Sequence, residues 1–141
     1  HLRDKLRKIE ALFAGAGTEG ERNAAEAALG RIRARLAELG RSEAPIEIKF
    51  SVPDTWSRYL FLALCRRYGI APYRYARQRR STVVLRAPRR FIDDVLWPEF
   101  KELDADLRSY LQEVTIRVIR EEVFADTSEA PEVAPAALPP R

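Results

Sequence analysis

A chain of 141 residues with 46% hydrophobic and 33% charged side chains has the size and balance of one folded domain, which excludes a disordered protein. No apolar run approaches the roughly 18 residues of a membrane span, and no signal-peptide pattern is present, so we expect a soluble, cytoplasmic protein that does not contact a membrane. The net charge is only +4, although its distribution along the chain is uneven.

The first 40 residues have the pattern of two helices separated by a turn. Apolar residues at helical spacing stop at the sequence GAG of positions 15–17, which favours a turn. Thr18 and Glu21 have the spacing of a capping box for a second helix that ends near Gly40. The apolar residues of this second helix share one face: Ala25, Ala28, Leu29, Ile32, Leu36 and Leu39. We therefore predict a helical hairpin over residues 1–40.

Three features of this hairpin are distinctive: the opening run KLRKI at residues 5–9, the polar turn, and the run EAAL at residues 26–29. In these features the chain resembles a bacterial and phage family known as domain of unknown function 2786. Members of that family usually continue into a helix that begins with tryptophan and a small pair of strands, and the sequence from Trp56 onward is similar. The resemblance implies an α+β fold and carries no activity.

The segment after the hairpin predicts a small sheet with one helix. Residues 46–52 alternate apolar and polar side chains, as in a half-buried strand. Asp54 is placed to cap a helix that runs to Gly69, with one stripe of apolar residues. That stripe comprises Trp56, Tyr59, Leu60, Ala63 and Leu64. Two further strands are predicted, APYRYARQ at 71–78 and STVVLRA at 81–87, joined by residues 78–81.

The last third of the chain predicts a long helix and a tail. Apolar residues recur at spacings of three and four: Leu96, Phe100, Leu103, Leu107, Leu111, Val114 and Val118. Because proline breaks or begins a helix, Pro98 predicts a short helix over 90–97 and a long one over 98–124. Residues 125–141 are acidic and rich in proline and alanine, so we expect an extended tail. The predicted organisation is α+β: the hairpin 1–40, a β-α-β-β domain 41–124 ending in the long helix, and the tail 125–141.

The apolar stripe of the long helix is longer than a small sheet needs for cover. We therefore expect a homodimer or a protein partner with Leu107, Leu111 and Val114 near the contact, although the hairpin of residues 2–39 offers an internal alternative. Trp97 precedes Pro98 at the predicted helix break. It is either a buried packing residue at the hinge or an anchor of the interface.

Charge is concentrated in the middle of the chain. Residues 1–54 carry ten basic and nine acidic side chains, residues 55–92 carry ten arginines and no acid, and residues 93–141 carry five basic and twelve acidic side chains. Arginine forks match phosphate oxygens and tyrosines stack on bases, so we predict phosphate contacts to DNA or RNA from a basic β-hairpin. The predicted binding residues are Arg74, Arg77, Arg79, Arg80, Arg86, Arg89, Arg90, Tyr73 and Tyr75.

The density of arginine can also arise without a nucleic-acid ligand. The chain has 21 arginines and four lysines, a bias that explains the choice of arginine but not the absence of acids over 38 positions. The acidic C-terminal helix could instead pair with the arginines, within one subunit or across a dimer. In that case the protein is a structural or adaptor subunit that binds other protein chains.

Catalysis is not expected from this sequence. The single histidine is His1, at the first position of the chain, and no metal-binding or nucleotide-binding motif is present, so we predict no cofactor and no metal. Cys65 is predicted to be a packed core thiol. Asp93 and Asp94 are more simply residues of a helix start than metal ligands. Trp56 is predicted to be a core anchor, with base stacking as the alternative.

Overall fold

The computed structural model describes residues 19–135 of the chain. The elements in chain order are α1 (Glu19–Ser42), β1 (Ile46–Ser51), α2 (Thr55–Arg67), β2 (Thr82–Ala87), the single turn α3 (Arg89–Phe91), a π-helical turn (Ile92–Leu96) and α4 (Trp97–Glu122). The predicted α+β class with a long C-terminal helix is confirmed. The predicted first helix of the hairpin lies outside the described residues.

Helix α1 buries the face that its apolar pattern predicts. Leu39 is buried, and Leu29, Ile32 and Leu36 are half-buried against the core. The helix continues to Ser42, two residues beyond the end that was predicted near Gly40. Gly40 does not adopt a positive φ, the conformation by which a glycine commonly ends a helix.

Strands β1 and β2 pair antiparallel along their whole length, with Ile46 opposite Ala87 and Ser51 opposite Thr82. Because side chains alternate along a strand, the two strands share a core face and an outer face. The core face comprises Ile46, Ile48, Phe50, Val83, Leu85 and Ala87, and the outer face comprises Glu47, Lys49, Ser51, Thr82, Val84 and Arg86. The predicted alternation of β1 is confirmed.

The predicted strand over residues 71–78 is wrong. Within the described residues the sheet has two strands, and this segment contributes one isolated bridge, between Tyr73 and Val84. Pro72 has no backbone N–H to donate to a ladder, and Arg77 has a φ of 72°, which no strand residue adopts. The segment is therefore a loop joined to β2 at one residue, and the β-α-β-β order is reduced to β-α-β with that bridge.

Helix α2 begins and ends as its sequence predicts. The Ser57 backbone N–H donates to the Asp54 carboxylate at 2.8 Å, which satisfies one free N–H of the first turn and lowers the pKa of Asp54. Gly69 follows the helix with a φ of 82°, and the next N–H, of Ile70, returns to the Cys65 carbonyl at 2.9 Å. This is the termination that glycine makes possible.

The core lies between α2, the core face of the sheet and the start of α4. Phe61 is fully buried there, with its ring centroid 5.0 Å from that of Phe50 and 4.9 Å from that of Phe100. Trp97 stacks on Phe50 with a centroid distance of 5.4 Å. Cys65 is also fully buried, which confirms the prediction of a packed thiol, and burial raises its pKa to about 12.

The prediction that Pro98 breaks the C-terminal helix is wrong. The π-helical turn comes directly before it, and the Trp97 N–H donates to the Ile92 carbonyl, five residues back. Proline has no N–H, and its ring would crowd the carbonyl four residues back in an α-helix, so the wider turn accommodates it. Helical structure therefore runs without interruption from Arg89 to Glu122.

The described residues up to Tyr110 form one compact unit and those from Leu111 onward form a second, with the boundary inside α4. In the second unit Leu111 and Val114 are half-buried, whereas Val118, Val123 and Phe124 are at least half exposed. Residues 124–134 contain neither helix nor strand. Across the described part of the chain, no helix is long and apolar enough to span a membrane.

Candidate functional site

Four of the predicted binding arginines lie in one loop before β2, residues 73–81, which we call the basic loop. Gln78 holds this loop together. Its side-chain oxygen accepts from the Tyr75 N–H at 2.8 Å, its own N–H donates to the Tyr75 carbonyl at 3.2 Å, and its carbonyl accepts from Arg74 Nη1 at 3.0 Å. The loop therefore has a defined conformation, fixed by bonds that its own residues make.

Arg77 is the third residue of the turn from Tyr75 to Gln78, and its φ of 72° is positive. Within the described residues it is the one non-glycine residue with such a φ. Type II turns prefer glycine at this place, because a side chain there crowds the backbone. The sequence thus keeps an arginine where glycine would be less strained.

Glu47 tethers the basic loop to the outer face of the sheet. The Tyr73 hydroxyl donates to Glu47 Oε2 at 2.6 Å, and the Tyr75 hydroxyl donates to the same oxygen. The bond from Tyr73, then that from Tyr75, holds the pKa of Glu47 below its usual value of 4.5. The same contacts raise the pKa of Tyr75 to about 12 and raise that of Tyr73. Beneath this cluster Val84 is 1% exposed, although it points away from the main core.

The predicted binding residues do not form one surface. Arg77, Arg79 and Arg80 are exposed and form no ion pair with a carboxylate of the described residues, whereas Arg89 pairs with Asp93 at 3.2 Å. Arg80 precedes β2 and Arg89 follows it, so six strand residues, about 20 Å at 3.3 Å per residue, separate them.

The remaining predicted residues have separate surroundings. Arg86 lies on the outer face opposite Glu47, and its charge helps to lower the pKa of that carboxylate. The backbone N–H of Arg90 donates to Glu43 at 3.3 Å. Both tyrosines contact Glu47, and Tyr73 is half-buried, so of the two only Tyr75, 51% exposed, offers an open ring.

An open cavity of about 320 Å³ lies between α2, the basic loop and β2. Arg58, Arg74 and Arg80 line it with Tyr59, Tyr73, Thr82 and apolar residues, and no carboxylate lines it. Arg58 is 8% exposed and donates to the carbonyls of Val52 at 3.1 Å and Pro53 at 3.3 Å. No carboxylate of the described residues lies within ion-pair distance of Arg58. The cavity is therefore a concentration of positive charge, part of it buried.

Beside this cavity α2 carries an exposed aromatic pair. Trp56 is 60% exposed and Tyr59 is 57% exposed, and their rings meet edge to face with centroids 6.0 Å apart. The prediction of Trp56 as a core anchor is wrong, because the inward face of α2 is centred on Ser57 and Phe61, and Trp56 lies outside it. Sequence reasoning did not include Arg58 or Tyr59 in the site. The available signal was an arginine within an otherwise apolar helical face.

A buried polar contact fixes α2 against α4. The Ser57 hydroxyl, 1% exposed, donates to Asp104 at 2.5 Å and accepts from Arg108 at 3.2 Å. Arg108 also donates to Asp104 at 2.9 Å. Because Ser57 adjoins Arg58 and Trp56, this contact determines where α2 presents the aromatic pair and the buried arginine.

The predicted interface residues occupy different environments. Trp97 is half-buried in the aromatic cluster of the core. Leu107 is half-buried against the core. Leu111 and Val114 belong to the second compact unit. A contact of these residues with another chain stays a prediction.

The described residues hold no group of three or more histidine, cysteine or acidic side chains that could bind a metal ion. Comparisons of the chain with models of protein families, with curated proteins and with solved structures found no match. The likeness of the N-terminal segment to domain of unknown function 2786 stays a prediction from the residues quoted above.

Proposed function

We propose that this protein binds nucleic acid without catalysis, through phosphate contacts from the basic loop. The observation that carries the proposal is the combination of exposed arginines without an ion pair and a loop conformation fixed by internal hydrogen bonds. A loop that is already ordered loses less conformational entropy when it binds. Arginine donates two parallel hydrogen bonds to phosphate, and these contacts carry no base sequence, so we expect weak sequence preference.

Reversal of charge at the end of the loop tests this proposal. The double variant Arg79→Glu with Arg80→Glu should weaken binding to all nucleic-acid sequences alike, measured by fluorescence anisotropy at low salt. Circular dichroism should stay unchanged, because both side chains are exposed. A matched control is Arg22→Glu with Arg31→Glu, which changes the net charge equally at two exposed positions of α1. Equal losses in the two double variants, or no binding by the wild type, would contradict the proposal.

A second candidate function, a structural or adaptor subunit, is favoured by the end of the long helix. Val118, Val123 and Phe124 are 50%, 75% and 68% exposed, and apolar side chains of this kind are typical of surfaces that contact other proteins. Replacement of both Leu111 and Val114 by Asp should give a folded monomer if α4 contacts a second chain. Loss of the cooperative melt would show instead that these residues are internal core.

A further inference from the structure

We infer that the preferred ligand is single-stranded nucleic acid, with a phosphate in the cavity of Arg58, Arg74 and Arg80 and an adjacent base stacked on the Trp56–Tyr59 pair. The inference rests on the proposed function and specifies its ligand.

The cavity has the properties of an anion site. A buried guanidinium is costly unless a counter-charge accompanies it, and Arg58 bonds to two neutral carbonyls and to no carboxylate of the described residues. Arg74 and Arg80 add two exposed positive charges at the same cavity. A phosphate there would supply the counter-charge that Arg58 lacks, and a phosphate oxygen accepts the hydrogen bonds that an arginine donates.

The aromatic pair supplies the second half of the site. Tyr59 itself lines the cavity, and Trp56 lies one ring further out along α2. A ligand whose charged group occupies the cavity therefore meets an exposed aromatic surface next to it. Alternation of a phosphate with a flat ring is the repeating chemistry of a nucleotide chain. An acidic peptide has the charge and lacks the regular flat ring.

The exposed rings distinguish a single strand from a duplex. In a duplex the bases are stacked on each other and cannot also lie on a protein ring, whereas an unpaired strand presents its bases to aromatic side chains. Duplex binding would use the arginines and leave Trp56 and Tyr59 without a role. We therefore expect the aromatic pair to contribute to affinity for a single strand only.

The test compares three labelled probes at equal low salt: a short oligothymidylate, a duplex of the same length, and an oligoglutamate of equal charge. The wild type should bind the oligothymidylate more tightly than the duplex or the peptide. Trp56→Ala should weaken oligothymidylate binding by roughly 5- to 150-fold, the contribution of one stacked base, and should leave duplex binding unchanged. Trp56→Phe and Tyr59→Phe keep a ring and should retain most of the affinity.

The role of the cavity is tested with Arg80→Ala, since this exposed residue can be replaced without opening the core, and with Arg58→Met, which keeps the apolar stem. Both should weaken oligothymidylate binding, and the melt of Arg80→Ala should match the wild type. Equal affinity for strand and duplex, with no effect of Trp56→Ala, would overturn this inference and leave the proposed function intact. Preference for the oligoglutamate would also overturn this inference. Absence of nucleic-acid binding by the wild type would overturn both this inference and the proposed function.

Discussion

Each end of β2 is flanked in the sequence by a pair of adjacent arginines, and the two pairs differ in the folded protein. Before the strand, Arg79 and Arg80 form no ion pair with a carboxylate of the described residues. After the strand, Arg89 is paired with Asp93, and Glu43 accepts from the backbone of Arg90. A run of positive charge in the sequence is thus no guide to its own neutralisation, because Arg89 has a carboxylate one helical turn later and the basic loop has none. The difference marks the basic loop as the end suited to an anionic ligand.

Substitution at the two ends of β2 should give the largest contrast. Arg74→Ala with Arg80→Ala should weaken nucleic-acid binding by about 100-fold, because one charge-assisted hydrogen bond of about 1.5 kcal/mol corresponds to about tenfold. Arg89→Ala with Arg90→Ala should cost about tenfold or less, since Arg89 is already paired. Fluorescence anisotropy with one oligonucleotide measures both. Similar losses of affinity in the two double variants would mean that the structural difference between the two ends of β2 does not affect binding.

Local sequence patterns predicted the parts of this fold that depend on neighbouring residues. The Asp54 cap, the turn at Gly69 and the alternating faces of β1 follow from side chains within a few positions of each other. The prediction of a third strand over residues 71–78 failed because it did not take account of Pro72 or of the turn at Arg77. The helix break failed because a π-helical turn can accommodate Pro98.

The site was predicted only in part for a related reason. The arginines of the basic loop are adjacent in sequence, and their density was visible. Arg58 reaches the same cavity from α2, and only the packing of α2 against β2 places it there. The exposure of Trp56 likewise depends on which face of α2 the sheet covers. The apolar stripe predicted from the sequence includes Trp56, whereas the buried face is rotated from it toward Phe61 and Cys65.

The Glu47 tether is a further difference between the two ends of β2, because it holds the basic loop, which precedes the strand. Its carboxylate has a lowered pKa in the folded protein, so its stabilising effect is present above the ordinary pKa of 4.5 and is lost as the pH falls through the lowered value. Glu47→Gln should therefore lower the melting temperature at neutral pH and make little difference in strong acid. Thermal melts of both proteins across this range measure the effect. A difference that is independent of pH would contradict the tether.

The tyrosines of the tether should show the opposite pH dependence. The folded pKa of Tyr75 is raised from 10.0 to about 12, so its contribution is complete below pH 10 and is lost as the pH rises toward 12. Burial also raises the pKa of Tyr68 to about 12, so absorbance of tyrosinate should show a late step to which both tyrosines contribute, and this step should be smaller by one tyrosine in Tyr75→Phe. If the variant and the wild type titrate alike in this range, the contact between Tyr75 and Glu47 does not persist in solution.

The smallest expected effect is at Arg77. Arg77→Gly removes the side chain that crowds a positive φ, and relief of about 1–2 kcal/mol exceeds the added chain entropy of glycine, about 0.5–1 kcal/mol. Stability should therefore rise by up to about 1 kcal/mol in denaturant unfolding, while binding weakens by about tenfold or less. Arg77→Ala is the matched control, because it removes the charge and keeps the strained Cβ. It should bind like the glycine variant without its gain in stability.

The dependence of affinity on salt tests the central claim most directly. Each phosphate neutralised by an arginine contributes about −0.9 for duplex and −0.7 for single strands to the slope of log affinity against log salt concentration. Four or five engaged arginines therefore predict a slope of roughly −3 to −4 for the wild type. The slope should become shallower by about one unit or more in Arg79→Glu with Arg80→Glu and should not change in Arg89→Ala. A flat response of the wild type, or equal slopes in all three proteins, would contradict binding of phosphates by the basic loop.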